Sequence, residues 1–223
     1  MTWASVFFFL ITGAGLVYYF QYEKERVEKE KARLAVEQAS STAGKPLVGG
    51  PFSLVDHEGK PVTDLDYRGR WMLLYFGFTH CPDVCPEELE KMGKIIDSLG
   101  ETEEPEVGDG IVPIFISCDP KRDSVEVVKA YVEEFHPRLV GLTGTYEQVK
   151  ATARAYRLYF SAPPRALDDD ETDYLVDHSI FFYLVNPDGQ YARHYGKIDS
   201  KERIVEDIVK QARDFKARKK ANK

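Results

Sequence analysis

Two cysteines four positions apart, Cys81 and Cys85, lie in the decapeptide GFTHCPDVCP at positions 77–86. The residues before them, 71–78, form a continuous apolar and aromatic run, as expected of a strand buried on both faces. The residues after them open a helix. A thiol at a helix N-terminus meets unpaired N–H groups and the positive end of the helix dipole, which lower its pKa and favour thiolate. Thiolate is the species that attacks disulfides and the species that binds metal. On a helical turn this spacing puts both sulfurs on one side, and Pro82 and Pro86 stiffen the loop. The rival reading, two buried thiols with a structural role alone, fits poorly with a strand-to-helix junction, where α/β proteins gather their functional loops.

Dithiol oxidoreductases typically carry two residues between their cysteines. Three residues shift the weight toward metal without deciding the matter. Two soft thiolates suit Cu(I), with zinc the other candidate. A closed structural zinc site takes four ligands, and the chain has only three cysteines, whereas Cu(I) accepts a three-ligand set. The third ligand is sought among five histidines. His80 adjoins Cys81, but neighbouring side chains on an extended segment diverge. His57 sits in a turn-like Asp-His-Glu-Gly, His136 at a helix end where capping accounts for it, and His194 on a hairpin strand. His178 stands apart, beside Asp177 after an acidic loop and directly before the apolar run 179–185. If that run lies antiparallel to 71–78, its start faces the cysteine loop. On pattern alone His178 reads equally well as a ligand and as a capped loop histidine.

The elements that must position these groups alternate. Pro86 reads as the start of a helix to about Leu99, with Leu89, Met92, Ile95, Ile96 and Leu99 on one stripe. Residues 111–117 read as a second buried strand. Asp123 with Glu126 resembles a capping box that opens a helix to about Phe135. A short strand at 139–142, a helix from Thr145 to about Tyr156 and a Pro-rich acidic loop follow. Residues 179–185 and 190–195 pair as strands around the turn Asn186-Pro187-Asp188-Gly189. A last amphipathic helix puts Ile204, Val205, Ile208, Val209 and Ala212 on one face. The class is α/β, a mixed sheet with helices on both faces.

Composition bounds the rest. The chain has 223 residues, a net charge of −7, 43% hydrophobic and 30% charged residues, with 13 Phe and 13 Tyr. That balance excludes a disordered chain and a polytopic membrane protein, and the acidic excess argues against a nucleic-acid partner. Residues 3–22 carry no charge and reach about 30 Å as a helix, with Trp3 at one end and Tyr18, Tyr19 and Tyr22 at the other. Residues 1–22 are therefore expected to be a single transmembrane anchor. A cleaved signal peptide is the rival, but it lacks a basic start and a small-x-small site. Residues 23–44 read as a charged helix breaking into a Ser/Gly linker, 45–215 as the folded domain, and 216–223 as a frayed basic tail. Five basic residues after the span would by the positive-inside rule keep the domain on the cytoplasmic-type side. A targeting peptide is expected upstream of the residues given.

The segments GKPLVGGPFSL (44–54), YFGFTHCPDVCPEELEKM (75–92), DPKRD (119–123), LVGLTGT (139–145) and DYLVDHS (173–179), in that order and spacing, resemble the Sco (SenC) family, closest in wording to its mitochondrial members. The resemblance covers about residues 44–215. It implies a thioredoxin-like fold with an extra hairpin before His178, and a copper site made of Cys81, Cys85 and His178, holding Cu(I) and admitting Cu(II). It implies a membrane-anchored copper chaperone of cytochrome c oxidase assembly. Such a protein takes copper from a small cysteine-rich carrier of the intermembrane space and helps deliver it to the binuclear site of oxidase subunit II. It implies a single-pass protein of the mitochondrial inner membrane with the domain in the intermembrane space, against the charge rule. It leaves self-association into a homodimer open.

The alternative is an enzyme, a thiol–disulfide reductase of the subunit II cysteines or a peroxiredoxin-like peroxidase, with Cys81 and Cys85 as attacking and resolving thiols. Copper binding should depend strongly on His178, whereas dithiol exchange should largely survive its loss. Cys118 falls in the buried strand before Asp119, where a core thiol is expected. The acidic residues of 161–177 read as a solvated loop, or as a flap that steers a basic partner face.

Overall fold

The computed structural model describes residues 48–158, 160–161, 177–178 and 180–221. The expected anchor, the charged linker and the acidic loop at 162–176 lie outside the described residues. Among those described, no helix is long and apolar enough to cross a membrane.

The apolar runs form strands wherever both faces can be covered. β1 (Ser53–Asp56) and β2 (Pro61–Thr63) make a hairpin, followed by a 3-10 turn at Asp64–Tyr67. The wholly buried β3 (Met72–Gly77) leads into helix α1 (Val84–Gly100), and β4 (Val112–Ser117) into α2 (Val125–Glu133). β5 (Val140–Thr143) precedes α3 (Tyr146–Ala155). β6 (Phe160–Ser161) and β7 (Asp177–His178) pair as a two-residue antiparallel ladder. β8 (Phe181–Val185) and β9 (Tyr191–Gly196) form the second hairpin, and α4 (Lys201–Ala221) closes the chain. The main sheet has seven strands in the order β2-β1-β5-β4-β3-β8-β9. β3 and β4 run parallel, as do β4 and β5, while β8 lies antiparallel to β3 with Phe182 opposite Tyr75. The expected mixed sheet is present, and the start of β8 lies at the cysteine end of β3.

Alternation along β3 divides the core. Tyr75 is registered with Phe115 and Phe182 and shares their face, where Phe115 packs on Tyr131 of α2 at 5.5 Å between ring centroids. Phe76 turns to the other face, against Tyr156 and Tyr183 at 5.4 and 5.8 Å. Burial of aromatics on both faces adds a large apolar contribution to the stability of this fold.

Three local expectations are corrected. α1 begins at Val84, before Pro86, so Cys85 lies inside its first turn. A proline is tolerated there because the first-turn N–H groups have no intrahelical partner. The cap of α2 is Ser124, whose hydroxyl accepts the Val127 N–H, and Asp123 is engaged elsewhere. The last helix continues past residue 215 to Ala221, so most of the basic tail is helical rather than frayed.

Candidate metal centre

Strand β3 ends at Gly77, and a turn closed by the Cys81 N–H on the Phe78 carbonyl (3.2 Å) brings Cys81 to the head of α1. The Cys85 N–H then donates to the Cys81 sulfur at 3.4 Å. The pair is thus brought together at the head of α1, Cys81 in the loop before it and Cys85 in its first turn, and neither is in a disulfide. Cys85 is 0% exposed and Cys81 9%. The Tyr75 hydroxyl donates to the Cys85 sulfur at 3.5 Å. Strand and helix approach closely because Gly77 has no side chain: a Cβ there would stand 2.8 Å from the Cys85 sulfur and 3.0 Å from both the Phe115 and Tyr75 rings.

Burial reverses one electrostatic expectation. Desolvation pushes the Cys85 thiol up to about 12, although the Tyr75 hydroxyl and the Phe78 backbone favour its thiolate. At Cys85 the loss of water outweighs the helix end. Burial thus favours the thiol at this sulfur, and a cation bound there would supply the charge that displaces the proton. Cys118 is likewise buried, its N–H on the Gly77 carbonyl at 2.7 Å, with a thiol raised by burial, which is the expected core thiol. In reduced, metal-free protein, iodoacetamide is expected to label Cys81 well before Cys85 or Cys118, as read by peptide mapping. Equal labelling of Cys81 and Cys85 would contradict this order.

Three histidines are occupied elsewhere. His57 accepts the Gly141 N–H at 3.0 Å, His136 accepts the Arg138 N–H at 3.0 Å beyond α2, and His194 bonds the Tyr191 hydroxyl on β9. The backbone of His178 lies in β7, just before β8, but its imidazole lies outside the described part of the chain. No His/Cys/Asp/Glu group able to hold a metal is complete among the described residues.

A residue that the sequence reading assigned to a helix cap proves central to the loop. Asp123 is 0% exposed and accepts the Ser117 hydroxyl at 2.6 Å, the Thr79 hydroxyl at 2.6 Å and the Thr79 N–H at 3.1 Å. Its carbonyl accepts the Thr143 hydroxyl at 2.9 Å. Burial raises its carboxyl pKa, opposed by the Ser117 and Thr79 hydrogen bonds. The cue lay in topology: Thr79, Ser117 and Thr143 end or follow three adjacent strands, whose carboxyl ends meet at one edge. On the far side of α1, Glu88 pairs with Lys91 (3.7 Å) and Glu87 with Lys197 (3.1 Å), tying the helix to the turn after β9.

The sequence pattern of the SCO1/SenC family matches residues 40–213. The chain belongs to the SCO1/SenC family. Its sheet and flanking helices are the Sco thioredoxin-like fold. Among Sco relatives, the human mitochondrial SCO1 homolog is 48% identical over 193 residues, 86% of this chain and 62% of the relative. The Arabidopsis thaliana mitochondrial SCO1 homolog 1 is 44% identical over 218 residues, 97% of this chain and 63% of the relative. The chain therefore spans slightly under two thirds of the length of each. The crystal structure of Arabidopsis thaliana ScoI with copper bound matches at TM-score 0.68 and 46% identity, covering 75% of this chain and 99% of that one. Copper-bound yeast Sco1 matches at 0.67 and 44%, covering 74% and 88%. Those two Sco proteins carry copper. Here, two thiols at the head of α1, neither in a disulfide and both largely closed to water, form a donor set suited to Cu(I).

Proposed function

We infer that this chain is a copper metallochaperone that binds Cu(I) through Cys81, Cys85 and His178. The ion is its cargo, and the protein performs no turnover of its own. The observation that carries the reading is the adjacency of two reduced sulfurs, with the Cys85 N–H on the Cys81 sulfur at 3.4 Å, in a chain whose relatives crystallise with copper bound. A three-ligand soft site is open to a fourth donor, so a partner thiol or imidazole enters before the first ligands leave. Family membership supports the finer assignment: a single-pass anchor at 1–22, a copper domain at 45–215 with the β6–β7 ladder at the base of an inserted hairpin, and a place in the mitochondrial inner membrane facing the intermembrane space. A small cysteine-rich carrier supplies the copper, and the binuclear site of cytochrome c oxidase subunit II receives it.

The test is the full chain in detergent, reduced and loaded anaerobically with Cu(I), read by metal analysis and X-ray absorption. One copper with two sulfurs and one nitrogen is expected. A reduced protein that holds no copper yet still exchanges disulfides would belong instead with the thiol–disulfide enzymes. The greater exposure of Cys81 relative to Cys85 favours that second reading, because it matches an attacking and a resolving thiol.

A further inference from the structure

His80 adjoins Cys81 in the sequence, and the segment that carries it is a turn rather than extended chain. Its side chain is 48% exposed, while Cys81 is nearly closed to solvent and Cys85 fully closed. His80 therefore offers solvent an imidazole one residue before the nearly closed Cys81.

The hydrogen bonds fix which ring nitrogen is available. The single Thr79 hydroxyl proton is donated to the buried Asp123 carboxylate at 2.6 Å. Thr79 Oγ1 can therefore only accept from His80 Nδ1, 3.0 Å away. The same Nδ1 lies 3.6 Å from Asp123 Oδ1, which further favours a proton on that nitrogen. Nδ1 is thus the N–H, and Nε2 keeps its lone pair. A carboxylate, here acting through one hydroxyl, that holds the far nitrogen of an imidazole is the arrangement by which metal-binding histidines are oriented and made more basic. Imidazole is also an acceptable copper donor.

We propose that His80 is a transient copper ligand, which takes the ion through Nε2 as it arrives and passes it to Cys81, with Thr79 and Asp123 as positioning residues. The proposal rests on the chaperone reading above. Copper stays Cu(I) throughout: the Nε2–Cu bond forms as a donor's ligand leaves and breaks as the Cys81 sulfur binds, its thiol proton going to solvent. The same steps run backward on release.

Microscopic reversibility supplies the test. A ligand on the path lowers the barrier in both directions, whereas a resident ligand slows loss of the ion. Full-length protein in detergent is loaded from limiting Cu(I)–bicinchoninate and stripped by excess bicinchoninate, both followed by the colour of the chelate. His80→Ala is expected to slow loading and stripping by the same factor, roughly tenfold, the low end of what losing an orienting partner costs a metal site. Thr79→Val should reproduce part of both effects with His80 intact, and Thr79→Ser should restore both rates. Unchanged rates in His80→Ala, or slower loading with faster stripping, would overturn the proposal. A wild type that takes up no copper would overturn the chaperone reading itself, before any variant is compared.

Discussion

Replacing His178 by alanine is expected to weaken Cu(I) binding by about a hundredfold, while Cys81 and Cys85 still exchange with disulfides. Loss of a partner that merely orients a ligand costs a metal site about 10–100-fold, so loss of a ligand belongs at or beyond the upper end. The topology supports this choice of residue. β8 is antiparallel to β3, with Phe182 opposite Tyr75, so the chain enters β8 from the edge where β3 delivers the cysteines. His178, in β7, is the last histidine before that entry. Competition against a chromogenic Cu(I) chelator gives the affinity, and reaction with a small aromatic disulfide gives the exchange rate. A change below about threefold in affinity would remove His178 from the ligand set, whereas equal loss of binding and exchange would point to a damaged loop.

Gly77→Ala is expected to disturb stability and copper binding together. The added Cβ would lie 2.8 Å from the Cys85 sulfur and 3.0 Å from the rings of Phe115 and Tyr75. Both rings are fully buried, so neither can swing away, and the cheapest response is to push α1 outward with Cys85 on it. Overpacking of this kind costs about 1–3 kcal/mol, and each kcal/mol lowers Tm by about 2–4 °C in a domain of this size. Calorimetry of the metal-free protein checks the first effect. Chelator competition checks the second, where the displaced sulfur should reduce Cu(I) affinity at least as much as loss of His178. An alanine variant with unaltered Tm and affinity would show that the helix has room to spare.

Periodicity and residue type made the sheet class and the cysteine pair legible. β3 and β4 are continuous apolar runs, and the stripe of Leu89, Met92, Ile95, Ile96 and Leu99 in α1 is buried as expected. The misreadings share one cause, a local cue overruled by a distant contact. Asp123 with Glu126 looks like a cap, but the carboxylate is claimed by Thr79, 44 residues away, and Ser124 takes the capping role. Cys85 lies at a helix start, which signals an acidified thiol, but Tyr75, Gly77 and Phe115 bury it and reverse the sign. The segment of His80 was read as extended, but the chain turns there. The two-residue strands β6 and β7 are too short to show any period.

The carboxylate of Asp123 ties Thr79 after β3 to Ser117 at the end of β4, while its carbonyl holds the end of β5. The cysteine loop therefore cannot fray alone, because opening it would break the hydrogen bonds of a buried carboxyl group and loosen three strand ends at once. Such openings approach the free energy of global unfolding. An ion bound there would not leak through breathing of the loop, and its escape would wait for a competing donor. On the copper-carrier reading, such a site would stay tight between encounters and become labile only on contact with a partner.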